Sequence, residues 1–492
     1  MATDFRTTEL KGVVAGSRLN ESDPIPFHEY EISGPASLRA IISEIRGKAG
    51  SITGETSDLR SSVSEIVGKV QSGGDAALLE LSAKYDRTTS FSSAASLLAT
   101  RDELDLASES LTAAQKKAIR VAYAQIRWLA RAQKKRRYLS RVFRTPLGFV
   151  VKESFVPLGR IGGYVPGGLA CYPSTILMIC GPAREAGVND IILASPPGPS
   201  GALPAALLYA ANLCGVREVV KLGGAQAIAA LAYGSETIRR VELIAGPGNQ
   251  YVTEAKRQVA ASGIVRIDSL AGPTELLVLA DGKADPTLVS EDLISQAEHG
   301  NRTLIGVVSD SAQLLQRTKE AMLSTLSRGR ERLDHIRQSY IFSAKARSME
   351  EAEEFARAFA PEHLEVQADQ PQTRLTSAGL ILRGKYTPCS ATDYIVGTDH
   401  ILPTGGQAAS SSGISVETFL RRVTVVESSK RALGSALEPL SELARLEGLP
   451  NHAAAAAARF RHGTGGREER SRKSTSSRER KGAGRGGRVA SP

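Results

Sequence analysis

Two adjacent ionisable side chains, Glu362 and His363 in APEHLE, have the chemistry to move protons. An imidazole with an ordinary pKa of about 6.5 can take a proton near neutrality, and a carboxylate can take one from water. The same dipeptide also serves as a polar step at the mouth of a helix, so its meaning depends on partners. Seven histidines are few enough to weigh singly. His28, His335 and His462 stand among solvated charges or at the border of a polar tail. His299 closes EDLISQAEHG three residues after Gln296, and a helix would put both on one face. Imidazole nitrogen and amide oxygen together can bind zinc; a histidine there can equally just complement the helix C-terminus. Asp393, in CSATDYIVGTDHILPTGG, offers a carboxylate oxygen to such a site, with His400 seven residues on, or it caps the following turn. His452, in EGLPNHAAAAAARF, falls where a helix begins.

The elements that must position these groups change character along the chain. Residues 1 to about 50 are mixed. SSVSEIVGKV, DAALLELSAKY and LTAAQKKAIRVAYAQIRWLARAQKK repeat apolar residues at three and four, which predicts helices from Ser61 to Lys135. Then come six short continuous apolar runs: DIILAS, REVVKL, VELIAG, TELLVLA, TLIGVVS and GLILRG. Continuous runs suit strands buried on both faces, and helical segments such as ALPAALLYAANL between them predict βαβ units. Six runs over about 200 residues fit two modest parallel sheets better than one large one. Glycine clusters at GRIGGYVPGG, GGAQAIAA and AGPGNQYVTEA mark turns towards helices, whose first N–H groups can receive an anion or a polar cofactor edge at a sheet's carboxyl end. None is a dinucleotide or phosphate-loop fingerprint. From Ile414 to Phe460 the chain reads as short helical segments.

Composition narrows the class. The chain has 492 residues, 41% hydrophobic, enough for two or more domains. Its net charge of +10 is concentrated: nine basic and three acidic residues from Gly463 onward supply +6. That Gly/Ser/Arg-rich tail, 463–492, reads as disordered, with nonspecific RNA contact as its only nucleic-acid signal. MATDFRTTELKG lacks an apolar signal core, and no run of 18 apolar residues occurs. Cys171, Cys180, Cys214 and Cys389 are scattered without a CxxC, which fits a reducing, cytoplasmic setting and small hydrophobic roles.

The stretches GGYVPGG, GGAQAIAALAYG, GPGNQYVTEAKRQV, AGPTELLVLAD, DLISQAEHG, PEHLE, TDYIVGTDHILPTGG and EGLPNH, in this order, resemble the histidinol dehydrogenase family from about Ser61 to Phe460. The resemblance implies an α/β fold of two incomplete Rossmann-like parallel-sheet domains, one inserted in the other, with small helical dimerisation segments. The expected division is a first domain at 51–160 and 274–412, a second at 161–273, and a helical dimerisation segment at 413–462. It implies a homodimer with one zinc per subunit, held by Gln296, His299 and Asp393 and by His452 reaching across from the other subunit. It makes Glu362 and His363 the catalytic pair, puts Thr274, His400 and Glu447 against substrate, and puts Tyr164, Gln226 and Asn249 against NAD. The implied reaction takes L-histidinol through L-histidinaldehyde to L-histidine. The alternative is a related zinc- and NAD-linked dehydrogenase of another small alcohol, such as a sulfonated diol. Thr274 stands where many members have serine, which keeps the hydroxyl.

Overall fold

The computed structural model describes residues 25–461 apart from 26, 54–56, 87–90, 168–170, 271, 301–302, 330–332 and 370–374. The tail at 463–492 and half of the unassigned N-terminal stretch, residues 1–24 and 26, lie outside the described residues. Along the chain the strands are β1 (Phe27–Glu31), β2 (Arg141–Arg144), β3 (Val150–Pro157), β4 (Arg160–Tyr164), β5 (Asp190–Ala194), β6 (Glu218–Val220) and β7 (Leu243–Ala245). They continue as β8 (Arg266–Ile267), β9 (Glu275–Ala280), β10 (Leu304–Ser309), β11 (Tyr340–Lys345), β12 (His363–Gln367), β13 (Leu380–Arg383) and β14 (Leu420–Glu427). All six apolar runs are strands.

Two parallel sheets result. One has six strands in the order β1-β11-β10-β9-β12-β13, the other five in the order β6-β5-β4-β7-β8. The five-stranded sheet lies wholly between β1 and β9 in sequence, so one Rossmann-like domain is inserted in the other. β9 shows why its run is continuous. Leu277 and Leu279 join one core with the helices Pro35–Thr53 and Met349–Phe359. Leu276, Val278 and Ala280 join the opposite core with the helix Pro286–Ala297. Each fully buried leucine or valine contributes roughly 1.5–3 kcal/mol.

Several boundaries differ from the expected ones. The segment before residue 50, unassigned from sequence, supplies edge strand β1 and the Pro35–Thr53 helix to the six-stranded sheet. The helix Ser57–Leu81, expected with the first domain, packs its Leu59, Val63, Ile66 and Val70 into the core of the five-stranded sheet. His28 is buried and stacked on Tyr340 at 4.2 Å, since β1 carries it into the sheet and away from solvated charge.

The chain divides into two compact units, residues 1–138 with 157–421, and residues 139–156 with 422–492. Both parallel sheets belong to the first. The second is not purely helical as expected: β14 joins β3 and β2 in a three-stranded sheet beside the helices Lys430–Leu446 and Pro450–Arg461. The strand forms because VTVV within LRRVTVVE is a β-branched run. This unit exposes Val142, Phe143, Leu443 and Leu446, the last at 83%. Among the described residues no helix is long and apolar enough to cross a membrane.

Candidate active site

The candidate proton-moving pair, Glu362 and His363, sits at the amino-terminal edge of the six-stranded sheet. β12 runs parallel to β9 with His363 opposite Leu276, so Glu362 and Glu275 leave the sheet side by side. The turn that delivers them is tight. Ala360 (φ 46°) closes the Met349–Phe359 helix in the left-handed region, the one non-glycine there among the described residues. Such a conformation costs roughly 1–2 kcal/mol in an alanine. The pair therefore opens a strand and does not stand at the mouth of a helix.

His363 is 2% exposed, and neither ring nitrogen has a hydrogen-bond partner among the described residues. Its Nδ1 is 3.7 Å from Glu362 Oε2 and its Nε2 3.9 Å from Asp393 Oδ1. Burial lowers its pKa to about 4, against the opposing pull of Asp393, so the imidazole is neutral at neutral pH, with a free lone pair but less basicity than an ordinary histidine. Burial pushes Glu362 well above the carboxylate range; the charges of Glu275 and Asp393 add to this, and the N–H of Glu275 opposes it. Two neighbours thus stay neutral for the same reason.

Asp393 comes from the short helix Cys389–Tyr394, where the sequence suggests a turn. Gln296 Nε2 donates to its Oδ2 at 3.1 Å, while the buried Gln296 Oε1 has no partner among the described residues. His299 lies just past the end of the Pro286–Ala297 helix, with Nδ1 3.0 Å from the Gln296 carbonyl. His400 Nδ1 is 2.9 Å from the Asp393 carbonyl. Carbonyls only accept, so each Nδ1 carries a proton, and Nε2 is the nitrogen that offers a lone pair in the neutral ring. Lone-pair imidazole, an orphaned amide oxygen and a carboxylate are a donor set that fits a divalent zinc-like cation. One ligand atom each from His363, Cys389 and Asp393 also lie within 4.8 Å of one another. With no cation beside it, burial and the nearby carboxylates push the Cys389 thiol far above its usual range, so the thiol is neutral. Gln296, His299 and Asp393 line a pocket of about 640 Å³, whose other walls include Cys171, Tyr172 and Leu177 from the inserted domain. Cys171 is exposed at this pocket and lies outside the buried core.

The cofactor candidates sit at the opposite kind of edge, the carboxyl ends of the five-stranded sheet. Tyr164 ends β4, Gln226 follows β6 in the helix Gly224–Tyr233, and Asn249 follows β7. Asn249 caps the helix Gln250–Ala261, accepting from Tyr251 and Val252 N–H. Gly246 (φ 123°) lets this turn pass Tyr164, whose carbonyl oxygen would collide with any Cβ there. The amides that begin the Gly224–Tyr233 helix already have acceptors: Gly224 N–H gives to Tyr164 Oη at 3.1 Å and Gly223 N–H to Asp86. Asp86 also receives Gln226 Nε2 at 3.2 Å. Two donors of that turn are therefore taken from within the chain.

A model of the histidinol dehydrogenase family matches residues 51–460. The chain belongs to the histidinol dehydrogenase family. It is 41% identical over 409 residues to the histidinol dehydrogenase of Xanthomonas euvesicatoria pv. vesicatoria, covering 82% of this chain and 92% of that one. It is 40% identical over 431 residues to that of Geobacillus kaustophilus, covering 86% and 99%. The crystal structure of histidinol dehydrogenase from Elizabethkingia anophelis shares the fold, with a TM-score of 0.81 and 31% identity over 90% of this chain and 99% of that one.

Within this family fold the structure brings together Thr274, Gln296, His299, Glu362, His363, Asp393 and His400 around one sheet edge and the segments that meet it. Thr274 is half-buried and leads into β9, its carbonyl accepting from Leu304 N–H. Glu447 and His452 are not part of that group. They are exposed and belong to the second unit, at the end of one helix and the first turn of the next. Sequence reasoning passes over Glu275, Asp86 and the pair of half-buried Asp292 with buried Glu365. The one available signal is an acidic residue at the head of an otherwise apolar strand, as in TELLVLA.

Proposed function

We propose that the protein oxidises L-histidinol to L-histidine through bound L-histidinaldehyde, consuming two NAD and one water. The observation that carries this reading is a neutral, buried His363 beside the Gln296–His299–Asp393 wall of a pocket, in a chain of the histidinol dehydrogenase family. A zinc ion held by Gln296, His299 and Asp393 supplies a cationic anchor for the imidazole and amino nitrogens of the substrate. In this reading His363 takes the hydroxyl proton while hydride leaves carbon for NAD. Glu362 then exchanges a proton with the water that hydrates the aldehyde, and His363 serves again as the gem-diol gives its hydride. Tyr164, Gln226 and Asn249 hold NAD at the carboxyl edge of the five-stranded sheet.

The reading includes a second subunit. Glu447 and His452 reach the site of the other copy in a homodimer, His452 as the remaining metal ligand and Glu447 towards the substrate amine. Their exposure, and that of Leu443 and Leu446 around them, supports this. The test is NADH formation by zinc-loaded protein with L-histidinol beside 2,3-dihydroxypropane-1-sulfonate. Two NADH per histidinol, with histidine as product, is expected; turnover of the sulfonate alone overturns the reading.

A further inference from the structure

We infer that Glu275 is a positioning residue for Glu362 and that Arg46 holds it in that role. The inference rests on Glu362 being a group that acts on the reacting atoms. Glu362 is tied to Glu275 at both of its ends. Its side-chain Oε2 accepts the Glu275 N–H at 2.9 Å, and its own N–H gives to Glu275 Oε2 at 3.3 Å. The first bond fixes the Glu362 carboxyl, the second its backbone, so the residue cannot swing without breaking one of them. Glu362 lies one residue after the peptide that leaves the left-handed Ala360 turn, where backbone direction sets where the carboxyl points.

Glu275 is itself over-determined. Among the described residues its carboxylate faces donors only. Oε1 pairs with Arg46 Nη1 and accepts Gly405 N–H at 3.0 Å, and Oε2 takes Arg46 Nη2 at 3.3 Å beside the Glu362 N–H. Arg46 is anchored in turn: Nη2 gives to the Phe359 carbonyl at 2.8 Å, and its guanidinium lies 4.2 Å over the Phe359 ring. One guanidinium thus grips the residue before the turn and the carboxylate that fixes the residue after it. A planar, forked donor can do this, while an ammonium cannot. With Glu275 buried, four N–H directions converge on two oxygens. An amide in the same volume would turn an NH₂ against one of these donors and leave it unsatisfied.

The experiment compares Glu275→Gln, Arg46→Met, Glu362→Gln and the double variant Glu275→Gln/Glu362→Gln, all zinc-loaded, with L-histidinol and NAD. Glu275→Gln is expected to lower kcat by about tenfold or more with KM changed by less than about threefold, the pattern of a lost transition-state interaction. Arg46→Met shifts kcat in the same direction. Residues that act through one another do not multiply their losses, so the double variant should be no slower than Glu362→Gln alone. A double variant about tenfold slower than Glu362→Gln overturns the inference, as does an unchanged kcat in Glu275→Gln. If Glu275→Gln does not fold, Arg46→Met combined with Glu362→Gln carries the same cycle. An unimpaired Glu362→Gln would sink the underlying role of Glu362; multiplied losses on an impaired Glu362→Gln sink only the coupling.

Discussion

His363 Nε2 and Asp393 Oδ1 face each other across 3.9 Å with no hydrogen bond between them. Two such atoms are nearly in van der Waals contact, so nothing fits on the line between them. A substrate hydroxyl or a water lying to one side, about 2.8 Å from each, would touch both the neutral base and the carboxylate.

Asp393 should therefore matter to cation binding in a way Cys389 does not. Asp393→Asn is expected to weaken zinc by at least about 10–100-fold, the loss that results even from removing a ligand's supporting partner. Cys389→Ser, which replaces a neutral thiol, should leave affinity within about threefold on the same grounds. Zinc per subunit after equilibration against a competing chelator, and the spectrum of bound Co²⁺, measure both. Equal losses in the two variants would place the thiol among the ligands.

The two members of the PEHLE pair should separate kinetically. His363→Ala is expected to slow both oxidations, by about the 10²–10⁴-fold typical of acid–base assistance. Glu362→Gln should spare alcohol oxidation relative to aldehyde oxidation, since only the second consumes water. Single-turnover kinetics on each half-reaction decides it. Equal losses in the two halves for Glu362→Gln would remove the division of labour.

A pH signature lies one turn deeper. Glu365 on β12 is buried, its Oε1 accepting from Gln367 Nε2 at 2.6 Å and its side chain meeting Asp292 of the Pro286–Ala297 helix. Two carboxyls in contact need a proton between them. Burial, reinforced by Asp292, raises Glu365 to about 9, above its unfolded value of about 4.3. A group raised on folding gives stability that is full in acid and is lost as pH rises from about 4.3 through 9. Glu365→Gln removes that titration, so its Tm should gain on the wild type between pH 6 and 9. A Tm difference that stays constant with pH would show that the pair does not titrate.

Subunit sharing predicts a recovery. His452→Asn and His299→Asn dimers should each be nearly inactive. A mixed dimer has one site with both defects and one with neither. Random pairing makes about half the dimers mixed, so NADH formation should return to about a quarter of wild type per subunit. Confirmed mixed dimers without recovery would mean that His452 serves its own subunit or none.

Legibility tracks burial. β5, β9 and β10 are readable because strands covered on both faces are continuously apolar. β12 is not, because HLEVQ carries an imidazole and a protonated carboxyl into the core, and a residue kept neutral by its surroundings looks charged in a sequence. β4, RIGGY, reads only as a glycine turn, yet Gly163 is a strand residue whose Cβ would stand 2.6 Å from Leu193. The metal-side residues are legible as types, but their convergence comes from the family resemblance. Spacing along a chain cannot say that the ends of strands far apart in sequence meet. The carboxyl-edge rule points to the proposed cofactor side, while the proposed proton-moving pair lies at the amino edge of the other sheet.

The family match begins at residue 51, while β1 spans Phe27–Glu31 and Arg46 precedes the match. A chain trimmed to the matched residues would keep every predicted ligand and both members of the catalytic pair. It would also uncover β11 along Tyr340–Lys345, turning a paired strand into an unpaired sheet border open to strand exchange between molecules. The homology boundary therefore cuts inside the six-stranded sheet. Any shortened version drawn from the recognisable region alone exchanges an edge strand carrying Glu29 and Glu31 for the more apolar β11.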